Sequence, residues 1–66
     1  MVYLNSSAIR TVAYSESTMV LAITFTSGRT YDYVGVPKHV YLGLLSASSA
    51  GEYFNTRIRD YYSANR

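Results

Sequence analysis

The sequence predicts an α+β domain: a three-stranded antiparallel β-meander with two C-terminal helices packed on one of its faces. Three observations predict it. Met19, Leu21, Ile23 and Phe25 alternate with Val20, Ala22 and Thr24, the period of a strand with one strongly apolar face. Thr26-Ser27-Gly28 gives a hairpin signal, and a second alternating run holding Tyr31 and Tyr33 follows it. Beyond Val36-Pro37 the apolar spacing becomes that of a helix.

Taken in order, Ile9 to Tyr14 reads as a first strand with weaker alternation, joined to the second by the polar Ser15-Glu16-Ser17-Thr18. Parity fixes the next hairpin. If Phe25 faces Arg29 across a three-residue loop, Ile23 pairs with Tyr31 and Leu21 with Tyr33, and both tyrosines join the apolar face. A loop one residue shorter would turn them to the opposite side. The common three-residue solution places Gly28 at positive φ. Asp32 then points outward beside Val34. Pro37 suits the first position of a helix. Val40, Tyr41, Leu44 and Ser48 share its inner face, flanked by Leu45 and Ala47. Gly43 weakens that helix by about 1 kcal/mol relative to Ala, so a close-packing role is expected for it. Ser48-Ser49-Ala50-Gly51 is a break, and Ser49-x-x-Glu52 is a capping-box pattern that opens a second helix. Phe54, Ile58 and Tyr61 line the core side of this helix, Asn55 and Arg59 the opposite side, and Tyr53, Arg57 and Tyr61 a border stripe. The tail from Ser63 to Arg66 is expected to fray. The strands fall near residues 8–14, 19–26 and 29–34, and the helices near 38–48 and 51–62. The expected core is Leu21, Ile23, Phe25, Tyr31, Val40, Leu44, Phe54 and Ile58.

Composition narrows the functional classes. The 66 residues are read as a single domain, 1–66, with no internal repeat or linker. A chain this short buries only about 60% of its unfolded surface, so its large apolar side chains are committed to the core and little is left to wall a deep cleft. There is no Cys, hence no disulfide framework and no thiolate metal site, and the single His39 cannot build a metal site alone. Glu16, Asp32, Glu52 and Asp60 are the only carboxylates, none spaced against His39 for acid–base chemistry, and no nucleophile elbow is present. The expectation is a non-enzymatic protein without catalytic residues, metal or cofactor. No apolar run approaches the ~20 residues of a membrane span. The polar Asn5-Ser6-Ser7 soon after Met1 argues against a signal peptide, so a cytoplasmic location is expected. The formal charge of +2 leans towards anionic partners.

The pattern Ser6-Ser7-x-Ile9, Phe25-x-x-Gly28-Arg29-x-Tyr31-x-Tyr33 and Val36-Pro37 resembles the KTSC domain. So do Tyr41-x-x-Leu44-Leu45-x-Ala47 and Ser49-x-Gly51-x-Tyr53-Phe54-Asn55-x-x-Ile58-Arg59. The resemblance covers nearly the whole chain. It implies a domain of the kind appended to some lysyl-tRNA synthetases and found as small stand-alone bacterial or phage proteins. The family's tyrosine-x-tyrosine maps onto Tyr31 and Tyr33, whereas the acidic residue frequent after the first-strand tyrosine is Ser15 here. By the same resemblance, RNA binding is the first expectation for function.

The residues that would carry it are few. Arg57 and Arg59, with Asn55 and Tyr53 on the same predicted helix, are candidates for phosphate and base contacts, and Arg29 and Lys38 could extend that surface. The plainer reading is a solvated helix face with Arg57 near Asp60. Tyr31, Tyr33 and Tyr53 are candidates for stacking on bases. Parity puts Tyr31 and Tyr33 instead in the core beside Leu21 and Ile23. The alternative function is a protein-interaction or homo-oligomeric accessory protein that caps a partner or sequesters a small anionic ligand. Two bare sheet edges and exposed Val20 and Leu42 would serve it.

Overall fold

The computed structural model describes residues 2–65. Antiparallel strands β1 (Val2–Tyr3), β2 (Ile9–Ser15), β3 (Val20–Phe25), β4 (Thr30–Tyr33) and β5 (Ala64–Asn65) lie in the sheet in chain order. Helices α1 (Lys38–Ser46) and α2 (Ala50–Arg57) fall between β4 and β5. The α+β class, the antiparallel sheet and the two helices agree with the sequence reading, and β2, β3 and β4 are the expected meander. The sheet has five strands rather than three. The two additional strands are two residues each, pairing Val2 with Val12 and Asn65 with Asp32, too short to show any periodicity in sequence.

The tail departs from the expected fraying at Ser63, Ala64 and Asn65. The Val34 N–H donates to the Ser63 carbonyl at 3.0 Å, and Ala64–Asn65 continues along β4. An open strand edge presents unpaired N–H and C=O groups, and the returning chain satisfies part of that row. Arg66 lies outside the described residues.

The central hairpin follows the parity argument. Ile23 pairs with Tyr31 and Leu21 with Tyr33. The Phe25 N–H donates to the Arg29 carbonyl at 2.8 Å, the Gly28 N–H donates to the Phe25 carbonyl at 2.9 Å, and Gly28 has φ +95. Asp32 is exposed as expected. Six of the eight expected core residues are buried: Leu21, Ile23, Val40, Leu44, Phe54 and Ile58. Phe25 and Tyr31 are only half-buried, Phe25 packing edge-on against Phe54 at 5.2 Å. Ile9, Val12, Tyr33, Val36 and Ala50 complete the core. A bulge at Arg10 explains why β2 alternates weakly. Ile9 pairs with Phe25 but Thr11 with Thr24, so the extra residue lets Ile9 and Val12 both face the helices despite an odd separation.

Tyrosine serves the packing in a second way. The Tyr14 ring stacks on Tyr41 of α1 at 4.8 Å, and its hydroxyl donates to the Val36 carbonyl at 2.6 Å. The Val36 N–H donates in turn to the Met19 carbonyl, which ties the turn before β3 to the start of α1. Met19 itself falls outside the strand, at φ 57, a left-handed conformation that costs a side-chain residue roughly 1–2 kcal/mol. Met19→Gly therefore raises stability by about 1 kcal/mol, read as an upward shift of the urea midpoint at constant slope. A lowered midpoint would show that Met19 contributes packing that outweighs its strain.

Pro37 takes the N-cap of α1 rather than its first helical position. The Ser49 hydroxyl caps α2 by accepting from the Glu52 N–H at 3.3 Å. That helix stops at Arg57, short of the expected 62, with Ile58 at φ −122. The N–H groups of Tyr61 and Tyr62 both donate to the Ile58 carbonyl, turning the chain back towards β4. Tyr61 consequently leaves the core side and stands 72% exposed. The opposite face of the sheet carries no helix and is lined by small residues such as Ala13, Ala22, Thr24 and Thr30, the two threonine hydroxyls lying 2.9 Å apart.

Candidate functional site

The two helices meet where α1 has no side chain. A Cβ on Gly43 would fall on the Tyr53 hydroxyl and 2.8 Å from its Cζ, so the glycine admits the tyrosine ring to the helix seam. Beside this seam runs a groove of about 370 Å³, lined by His39, Val40, Tyr53, Thr56, Arg57, Tyr61 and Tyr62. The early end of α2 at Arg57 creates it, since the following turns swing Tyr61 and Tyr62 round to form one side. A second hollow, about 280 Å³, continues past Tyr53, Thr56 and Arg57 to Ser48, Ser49 and Glu52.

The groove's chemistry is aromatic with one strong cation. Three tyrosines, the Arg57 guanidinium and the His39 imidazole line it, and among the described residues no carboxylate does. The Thr56 hydroxyl donates to the Glu52 carbonyl within the helix at 3.0 Å, leaving its oxygen as an acceptor. The first turn of α1, which brings His39, carries no acidic side chain of its own.

The predicted residues separate into two groups. Tyr53 and Arg57 come together in the groove. Arg29, Lys38, Asn55 and Arg59 are exposed but do not line it. Lys38 pairs with Glu16 at 3.5 Å, between two well-exposed side chains. Tyr33 is only 6% exposed and packs edge-on against Phe54 at 5.4 Å, so it is a core side chain. Burial holds its hydroxyl pKa above the usual tyrosine value; the Tyr31 hydroxyl adds to the rise and the Arg59 charge opposes it. Tyr31 is half-buried against Phe25 at 5.8 Å. Sequence reasoning placed Tyr61 on a stripe with Tyr53 and Arg57 but missed His39, Thr56 and Tyr62, which only the helix crossing and the turn after α2 bring in.

Gly43→Ala tests the seam. Overpacking costs about 1–3 kcal/mol, against about 1 kcal/mol gained in helix propensity. The expected result is a net loss of about 1 kcal/mol in denaturant unfolding, with altered NMR shifts for the Tyr53 ring. A gain of stability with unmoved Tyr53 signals would show that the ring does not fill the seam.

A small α+β module with a surface groove on its helix layer is the class that fold and site define. The chain belongs to the KTSC domain family, whose model matches residues 5–62. It is 39% identical over 59 residues to a protein of Tsukamurella paurometabola, covering 89% of this chain and 88% of the relative. It is also 40% identical over 53 residues to a lysine–tRNA ligase of Nostoc punctiforme, covering 80% of this chain but 9% of that enzyme. The crystal structure of a KTSC domain protein from Yersinia pestis superposes with a TM-score of 0.95 at 29% identity, covering 98% of this chain and 92% of that one. Among the described residues no helix is long and apolar enough to cross a membrane.

Proposed function

We propose that this KTSC domain is a non-catalytic binding module for single-stranded nucleic acid, with RNA as its first-choice ligand and the groove on the helix layer as its contact surface. The observation that carries this reading is Arg57 set among tyrosines in a groove that no carboxylate of the described residues lines. A guanidinium forms bidentate bonds with a phosphate, and tyrosine faces stack on any base. The matching segment in a lysine–tRNA ligase supports the reading by association. The competing reading as an assembly module keeps the exposed Leu42 in its favour. It loses much of its argument from bare edges, because β1 and β5 pair along parts of the outer edges of β2 and β4.

A formal charge of +2 makes the affinity weak, micromolar or poorer at physiological salt, and steeply salt-dependent. The test is fluorescence anisotropy with a mixed single-stranded RNA pool across a salt series. Arg57→Ala weakens binding about tenfold at low salt and reduces the salt slope by about one, whereas Arg59→Ala, outside the groove, changes little. Absence of wild-type binding at low salt would remove nucleic acid as the ligand and leave assembly, to be read by light scattering at several concentrations.

A further inference from the structure

We infer that the groove accepts a single nucleoside monophosphate unit, with the phosphate on Arg57 and the base on Tyr61, so that the ligand is a phosphorylated strand end or a free nucleotide rather than the interior of a long strand. This rests on the reading of the groove as a nucleic-acid site and adds a limit to it. Size gives the first argument. About 370 Å³ is near the lower bound of small-ligand pockets, enough for one base, ribose and phosphate.

Charge gives the second. Proteins that follow a long single strand offer a continuous positive groove. Here, among the described residues, Arg57 is the only lysine or arginine lining the cavity. Lys38 pairs with Glu16, and neither it nor Arg29 nor Arg59 lines the groove. The third argument is what lies next along the surface. The hollow that continues past Tyr53, Thr56 and Arg57 contributes Glu52 and two serines but no further aromatic ring. Beyond Arg57, which both hollows share, a second phosphate there meets the Glu52 carboxylate and no further cation among the described residues. A terminal phosphate also carries about −1.5 to −2 charge at neutral pH, more than a backbone diester, so one guanidinium selects for it.

The experiment is an NMR titration of the intact chain with adenosine, adenosine 5′-monophosphate, and 5′-phosphorylated or unphosphorylated oligoadenylates of two, four and eight nucleotides. The mononucleotide is expected to shift Gly43, Tyr53, Arg57 and Tyr61, with a Kd within about threefold of the phosphorylated octamer. Adenosine and the unphosphorylated oligomers bind at least about tenfold more weakly, and Arg57→Ala erases that difference. Glu52→Gln strengthens the octamer but not the mononucleotide. Affinity that climbs with length while shifts spread to Arg29 and Arg59 would overturn the inference. So would an octamer that binds when the mononucleotide does not, and in that case the proposed function stands. If neither binds, both readings fall together.

Discussion

Phe54→Ala leaves the domain at the edge of unfolding at physiological temperature. Phe54 is 7% exposed and joins the second helix to the sheet through edge-to-face contacts with Phe25 at 5.2 Å and Tyr33 at 5.4 Å. Truncating a buried phenylalanine costs about 3–5 kcal/mol, and each aromatic pair lost contributes about 0.5–1.5 kcal/mol of it. A domain this small has a net stability near the bottom of the usual range, about 5 kcal/mol, so the substitution removes most of it. Circular dichroism melts show the effect as a large fall in Tm. Phe54→Leu, which refills much of the volume, recovers part of it. A Tm unmoved by Phe54→Ala would mean that α2 does not hold the sheet as described.

Tyr61→Ala has the opposite signature: binding collapses while the fold is untouched. The side chain is 72% exposed yet lines the groove opposite the seam. Removing a stacking ring costs about 1–3 kcal/mol per base, roughly five- to 150-fold in Kd. Its exposure keeps the stability change within about 0.5 kcal/mol. Tyr61→Phe keeps the ring face and most of the affinity. Tyr3→Ala is the matched control, because Tyr3 is 75% exposed on the outer strand β1, and it leaves binding unchanged. Equal losses from Tyr3→Ala and Tyr61→Ala would place the contact surface somewhere other than the groove.

The two tyrosines of the family pattern illustrate how far local sequence reaches. Loop parity alone puts Tyr31 and Tyr33 on the helix-covered face, and Tyr33 is core. Their candidacy as a stacking platform came from residue type, which cannot distinguish a buried ring from an exposed one. Helical periodicity puts Tyr61 on the core side, yet it stands exposed, because the helix ends at Arg57 with Ile58 as its C-cap.

The individual elements are written locally along the chain. Alternation marked β3, the loop ending in Gly28 set the hairpin register, Pro37 and Ser49 marked where the helices begin, and Gly43 signalled a close approach. Each of these depends on contacts among neighbouring residues or on backbone conformation at one position. The tertiary structure decided the rest. The edge strands β1 and β5 have two residues apiece and exist only because longer strands offer them unpaired edges. The end of α2 is set where the chain must return to β4, and no breaker residue announces it. The groove is assembled from His39 on one helix, Tyr53 and Arg57 on the other, and Tyr61 beyond it. That convergence depends on the helix crossing and the turn after α2, long-range geometry that no spacing along the chain encodes.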